Sequence, residues 1–336
     1  MIKTDIIIIG AGPVGLFTVF EAGLLKLKCH LIDALPQPGG QCAEIYPKKP
    51  IYDIPGYPSI LASELVDKLM KQIEPFSPGF TLGETAQTIK KNSDGDFIIT
   101  TTQGTSIQAP VVAIAGGLGV FTPRKPNIPK LENFENDKVH YIVKEPSLFK
   151  NKEIVISGGG DSALDWALFF SENYASDVKL IHRSDNFRAH NDSVQKALDY
   201  SKQGKIKMIL NSQVSGISKN KNKITLDIQS KDNKLSKISC DNWLPLFGLT
   251  PKIGPIGDWG LEIQKNAIKV DNSTDYSTNI DGIYAIGDVN TYPGKLKLIL
   301  CGFHEAALMV QSAFKKVYPN KNNVLKYTTV TGIKGF

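Results

Sequence analysis

Cysteine, arginine and long apolar runs are all scarce in this chain, and each scarcity removes a class of function. Cys29, Cys42, Cys240 and Cys301 stand far apart, with no C-x-x-C and no metal-ligand spacing among them or the five histidines. That argues against a disulfide framework and a Cys/His metal site, so no metal is expected. The longest apolar stretch, Ile6 to Phe20, is broken by three glycines and a proline, too short and too interrupted to cross a bilayer as a helix. Lys3 ahead of it mimics a leader, but Asp5 and the glycine spacing favour a buried strand feeding a turn, and the chain is read as cytoplasmic, with no membrane partner. There is no short-period repeat and no low-complexity segment.

What remains is core material for two ordinary domains: 336 residues, 41% hydrophobic and 21% charged. The net charge is +6, and of 39 basic residues only Arg124, Arg183 and Arg188 are arginine. Scattered lysines are ordinarily a solvated surface, and no nucleic-acid recognition motif accompanies the charge. The arginines carry more information, because a guanidinium forks onto phosphate or carboxylate where an ammonium is a point charge.

One long-range echo organises the chain. DIIIIGAGPVG, from Asp5 to Gly15, is a buried strand entering a glycine turn, and EIVISGGGDSA, from Glu153 to Ala163, is the same construction. Both carry G-x-G-x-x-G/A: Gly10, Gly12 and Gly15, then Gly158, Gly160 and Ala163. The first small residue permits the tight turn, the second lets backbone approach a pyrophosphate, and the third lets the following helix pack on its strand. The phosphates then lie at a helix N-terminus, Pro13 and Val14 in the first unit and Asp161 and Ser162 in the second. Helices are expected over Pro13 to Leu25 and Ser162 to Asn173, each followed by a strand, Lys28 to Ile32 and Val178 to Ile181. Two dinucleotide-binding units follow from this pattern.

The ends of those second strands separate the two ligands. LIDAL puts Asp33 where a carboxylate can bond both hydroxyls of an adenosine ribose. The corresponding place in the second unit reads LIHRSDNFR, with His182, Arg183 and Arg188 instead of an acid. A carboxylate would repel a 2′-phosphate and a pair of arginines would bind it, so NADP is favoured over NAD, with two surface cations on a loop as the bland alternative.

The intervening segments are β-rich. Hairpin strands are expected at Gln87 to Lys91, Asp96 to Thr101 and Thr105 to Gln108, and again at Gln213 to Ile217, Lys223 to Gln229 and Lys234 to Ile238. Glycine-ended strands are expected at Pro110 to Gly117 and Trp243 to Gly248. TNIDGIYAIGDV, Thr278 to Val289, ends in Gly287 and Asp288, and an amphipathic helix follows from Leu298 to Val317.

Through GAGPVGL, LPQPGGQ, YPKKPIYDIPGYP, TPRKP, GGGDSALDWAL, HRSDNFRAH, YAIGDV and the closing YTTV, the chain resembles the thioredoxin-reductase-like (type 2) ferredoxin-NADP(+) reductases. The resemblance implies an α/β fold of two Rossmann-like dinucleotide-binding domains (three-layer ββα sandwich), with an NADPH domain inserted into an FAD domain. FAD-binding segments are expected at 1–116 and 246–336, and the NADP-binding domain at 117–245. It further implies that Gly10, Gly12, Pro13, Val14, Gly15, Asp33, Gly40, Gln41, Asp53, Ala86, Phe121, Gly287 and Asp288 contact FAD. Tyr46 would stack on one face of the isoalloxazine, Tyr327 on the other, and Thr328 and Thr329 would lie near the N5 edge. Gly158, Gly160, Asp161, Ser162, His182, Arg183 and Arg188 would hold NADP(H). The family usually has glutamate at the place of Asp33, a shortening by one carbon that keeps the chemistry. A homodimer is also implied.

An absence decides between branches of this wider group. Where thioredoxin reductase carries its C-x-x-C, this chain reads Ile142-Val143-Lys144-Glu145; the glutathione-reductase type places its disulfide after the GGQ-like turn, near Cys42, but the partner position five further on is Pro47. Dithiol chemistry needs two adjacent thiols, so electrons are expected to leave from the flavin itself, singly, to ferredoxin or flavodoxin. Because Tyr327 would cover the face that nicotinamide needs, gating by the tail or the NADPH domain is expected. An NADPH-dependent quinone or oxygen (diaphorase-type) reductase and a non-catalytic flavin redox sensor are the competing readings.

Overall fold

Buried strands entering glycine turns need both faces covered, and the architecture provides the cover twice. The structure, a computed structural model, describes residues 1–117, 119–135, 137–143, 145–321 and 328–332. The chain divides into two units, Met1–Phe121 with Pro251–Phe336, and Thr122–Thr250.

The first unit is built on a parallel sheet in the order Ile283–Ala285, Val111–Ile114, Ile6–Ile9, Cys29–Asp33, Gly79–Leu82. Its central strand is four isoleucines, paired in register with Val111 to Ile114 on one side and Cys29 to Ile32 on the other. All four are buried, as expected of a strand with side chains packed on both faces. Helix Pro13–Leu24 packs against both Ala62–Ile73 and Ile299–Val317. Strands Ala86–Lys91, Phe97–Thr101 and Ser106–Ala109 form an antiparallel sheet to which Ile2–Lys3 adds in parallel. One hydrophobic cluster runs through both sheets and the helices.

The second unit repeats the plan in the order Lys207–Ile209, Asp177–Ile181, Glu153–Ser157, Asn242–Pro245, all parallel. Alternation along its central strand sorts the core into two layers. Ile154 and Ile156 pack with Ala163, Leu164 and Leu180 among the residues of helices Asp161–Asn173 and Asn191–Lys202. Val155, with Ile181 and Trp243, packs instead with Ile224, Leu226 and Ile228 of the antiparallel sheet Ser212–Asn220, Lys223–Ser230, Leu235–Cys240. The Trp243 indole is wholly buried and donates to Ser157 Oγ at 2.9 Å.

Elements fall within a few residues of their expected limits, with two longer departures. Pairing holds only at Val111–Ile114 and Ile283–Ala285, not over Pro110 to Gly117 or Thr278 to Val289. The Thr278 hydroxyl bonds Ile280 O and Ile283 O and folds 278–282 into a turn, and glycines end the first strand early. In both units the glycine turn leaves the C-terminal edge of the central strand, where ligands bind in open α/β sheets.

Candidate functional site

The first turn contains glycines of two kinds. Gly10 adopts φ +108°, and a Cβ there would stand 2.4 Å from Ala115 O, while a Cβ on Gly15 would stand 2.0 Å from Gly10 O. Backbone packing alone demands both. At Gly12 the nearest atom to a Cβ would be Gly40 Cα at 3.9 Å, so this glycine borders open space. It precedes a helix whose first turn has no side-chain cap and begins with Pro13, leaving amide donors at that end for an anion. Val14 is half-buried against Gly287. The Gly39-Gly40 turn closes one side, with Gly39 N donating to Ala11 O at 2.8 Å, and Gln41 Nε2 lies beside Gly117.

Asp33 stands at the rim. Its Oδ2 accepts from Ala11 N at 2.6 Å and its Oδ1 from Leu35 N at 2.9 Å, which fixes the carboxylate against the turn. Burial raises its pKa and the two amides oppose that rise. Glu84 N bonds Asp33 O at 3.1 Å and brings the buried Ala86 alongside.

A second cluster lies at the other end of this site. Asp288 follows Gly287 in a short 3-10 turn, is half-buried, and has a pKa raised by burial against the opposing charges of Lys295 and Lys297. Its charge acts on both Cys42 and Tyr46, and the charge of the exposed Asp53 acts on Tyr46. These four residues therefore share one neighbourhood. The buried Cys42 thiol donates to the Tyr46 hydroxyl at 3.8 Å, and burial, then Cys42, pushes the Tyr46 phenol well above its ordinary range. Thr328 and Thr329 are exposed on the short helix Thr328–Thr331. Tyr327 and the Phe121 side chain lie outside the described residues.

The turn of the second unit has the same division of labour. A Cβ on Gly158 would meet Leu246 O at 2.5 Å, and one on Gly159 would meet the His182 ring at 2.0 Å, whereas at Gly160 nothing lies within 4 Å. Asp161 and Ser162 are exposed in the first helical turn, and Asp161 Oδ1 accepts from His190 N at 2.8 Å. His182 does not share the surface position of its neighbours. It is buried, stacks on Phe187 at 4.9 Å, and its Nε2 bonds Asn186 O at 3.0 Å and Ser184 Oγ at 3.1 Å. With Arg188 N donating to Gly159 O at 2.7 Å, these contacts fold the loop back onto the glycine turn. Arg183 and Arg188 are exposed on that loop, and among the described residues neither guanidinium has an ion pair.

All four cysteines are free. Among the described residues no group of His, Cys, Asp and Glu could hold a metal ion, and no helix is long and apolar enough to cross a membrane. Glu305, Lys295, Asn290 and Tyr292, which surround the Asp288 turn, are not among the residues expected from the sequence. One signal was available: Glu305 falls on the buried stripe of helix Ile299–Val317, between Gly302 one turn before it and Ala306 and Met309 after it.

Two open glycine cradles, each at the mouth of a parallel sheet, define a two-dinucleotide oxidoreductase, and the chain belongs to the pyridine nucleotide-disulphide oxidoreductase family, whose model matches residues 4–307. It is similar to ferredoxin-NADP reductase 1 of Christiangramia forsetii, at 62% identity over all of this chain and 96% of that protein. It is also similar to the ferredoxin-NADP reductase of Flavobacterium johnsoniae, at 63% over all of this chain and 95% of that one. Among solved structures, thioredoxin reductase of Lactococcus lactis is 28% identical with a TM-score of 0.77, covering 94% of this chain and 100% of that chain. A thioredoxin reductase of T. acidophilum, at 24% identity and a TM-score of 0.76, shares the fold over 94% of this chain and 99% of its own.

Proposed function

We propose that this chain is a ferredoxin-NADP reductase in which the first unit holds FAD and the inserted second unit holds NADPH. The observation that carries the reading is the contrast at the rims of two otherwise equivalent cradles, Asp33 at one and the exposed Arg183 and Arg188 at the other. FAD can take a hydride from NADPH and return electrons one at a time, which is the chemistry a one-electron carrier requires.

The chain's own residues supply binding and orientation. Asp33, held by two amides, would take the adenosine ribose; the first-turn amides beside Gly12 would take the pyrophosphate; Asp288 would take the polar chain beyond it, and Tyr46 would cover the ring. On the second unit the His182 loop holds the two arginines for the 2′-phosphate. Tyr327, Thr328 and Thr329 belong to the same reading as the far side of the flavin site. No pair of thiols stands in the route, so electrons go directly to ferredoxin or flavodoxin. A homodimer in the cytoplasm completes the proposal.

Replacing Arg183 and Arg188 together by serine tests the assignment of the rims. Charge-assisted hydrogen bonds contribute about 1.5–3 kcal/mol each, so kcat/KM for NADPH should fall at least about tenfold while NADH turnover is nearly unchanged. An intact preference for NADPH would contradict the reading. Comparing ferredoxin, flavodoxin, thioredoxin, oxygen and a quinone as acceptors separates a carrier reductase from a diaphorase, and a flavin that NADPH fails to bleach would indicate a sensor.

A further inference from the structure

We infer that Glu305, with Lys295, is a positioning residue of the flavin site, a buried polar hub that fixes the turn bearing Asp288; this rests on the reading that the first unit binds FAD. Glu305 sits on a helix whose other inward residues are Gly302, Ala306, Met309, Val310, Ala313 and Phe314, and it is itself fully buried. Burying a carboxylate without partners is costly, yet the oxygens of Glu305 meet four donors. Oε2 accepts from Gly287 N at 2.7 Å and from Asn290 Nδ2 at 2.9 Å, and Oε1 accepts from the Tyr292 hydroxyl at 2.8 Å and from Lys295 Nζ. The Lys295 side chain is only 6% exposed.

Every donor belongs to the segment that runs through the turn, on both sides of Asp288. Asn290 Nδ2 also donates to Ala285 O at 2.9 Å, which ties the end of the central sheet's edge strand into the same hub. The helix approaches closely enough for this because position 302 is glycine: a Cβ there would stand 2.3 Å from Val14 Cγ2 and 3.3 Å from Gly287 Cα. Gly287 holds φ +76°, and its amide would otherwise be a buried donor facing an apolar helix. A buried ion pair adds little net stability over a well-packed apolar pair. Its distinctive property is geometric, since four directed bonds hold a turn that apolar packing alone would leave free to shift. The Asp288 carboxylate feels the charges of Lys295 and Glu305 but takes none of the hub's hydrogen bonds, so it stays available to a ligand.

The test compares two charge-neutral replacements in the full-length holoprotein. Lys295→Met with Glu305→Gln keeps an acceptor facing Gly287 N and Asn290, and should release FAD within about threefold of the unaltered rate. Lys295→Met with Glu305→Leu removes the acceptor, and should release FAD at least about tenfold faster, with faster hydrogen exchange at the Gly287 amide, the scale seen when residues supporting a bound group are lost. A leucine variant that is folded and keeps the unaltered release rate would overturn the inference, whatever its thermal stability. If that variant does not accumulate, Asn290→Ala decides the matter: release about threefold faster supports the hub, and no change refutes it. A chain that binds no added FAD would refute the assignment of the first unit instead, and Gly287 exchange in the two variants would still report whether Glu305 holds the turn.

Discussion

Burial decides what the individual thiols can do. Cys29 and Cys42 have their pKa raised by burial, with the charge of Asp5 adding to the rise at Cys29, and burial pushes Cys240 up to about 12. A raised thiol pKa keeps the neutral, unreactive form dominant to higher pH, so at pH 8 none of these three is a nucleophile. Cys301 is the partly exposed member of the set. A disulfide-exchange reagent at pH 8 should therefore titrate about one thiol per native chain, and all four after unfolding. Rapid modification of Cys42 in the native protein would contradict this and would reopen a sulfur relay beside Tyr46. The same local logic governs Asp33, whose two amide donors fix its direction before any ribose arrives.

At the scale of the strand-turn-helix element, a methyl group distinguishes glycines that build the fold from those that admit a ligand. Gly12→Ala and Gly160→Ala place a Cβ 3.9 Å from its nearest neighbour and in open space respectively. Both variants should fold with melting temperatures close to the parent, Gly12→Ala losing FAD and Gly160→Ala raising KM for NADPH at least about tenfold. Gly15→Ala should fail to accumulate as folded protein, because its Cβ would sit 2.0 Å from a backbone oxygen that cannot move aside. Thermal melts with flavin absorbance and NADPH kinetics check all three, and normal cofactor binding by Gly12→Ala would contradict the cradle. These turns were legible in the sequence because an isoleucine run and a glycine spacing are local signals. The inward turn of His182 was not, because its partners are the loop it belongs to and a glycine more than twenty residues back, and the residue type is equally suited to surface and core. Glu305 was hidden for a related reason: a hydrophobic stripe shows that position 305 faces inward, but only the folded turn of 287–295 supplies the donors that make a carboxylate tolerable there.

For the whole molecule, the chain divides into two units, to each of which the proposal gives one cofactor, and the net charge of +6, with all but three of the 39 basic residues lysine, bears on the encounter with a carrier. An acidic ferredoxin should be steered by such a surface, and the effect shortens with the Debye length, from about 10 Å at 0.1 M salt to about 3 Å at 1 M. The ferredoxin kcat/KM should thus fall several-fold between low and high salt, while turnover with a neutral quinone changes little. Equal salt responses would remove steering from the account. In the proposed reaction, electrons pass from NADPH through a bound flavin to ferredoxin with no thiol in the route. That route is tested by anaerobic ferredoxin reduction with a variant in which Cys29, Cys42, Cys240 and Cys301 are all alanine, the rate being expressed per bound FAD. Activity close to that of the parent is the predicted result; a variant that holds FAD and is bleached by NADPH, yet leaves ferredoxin oxidised, would contradict it.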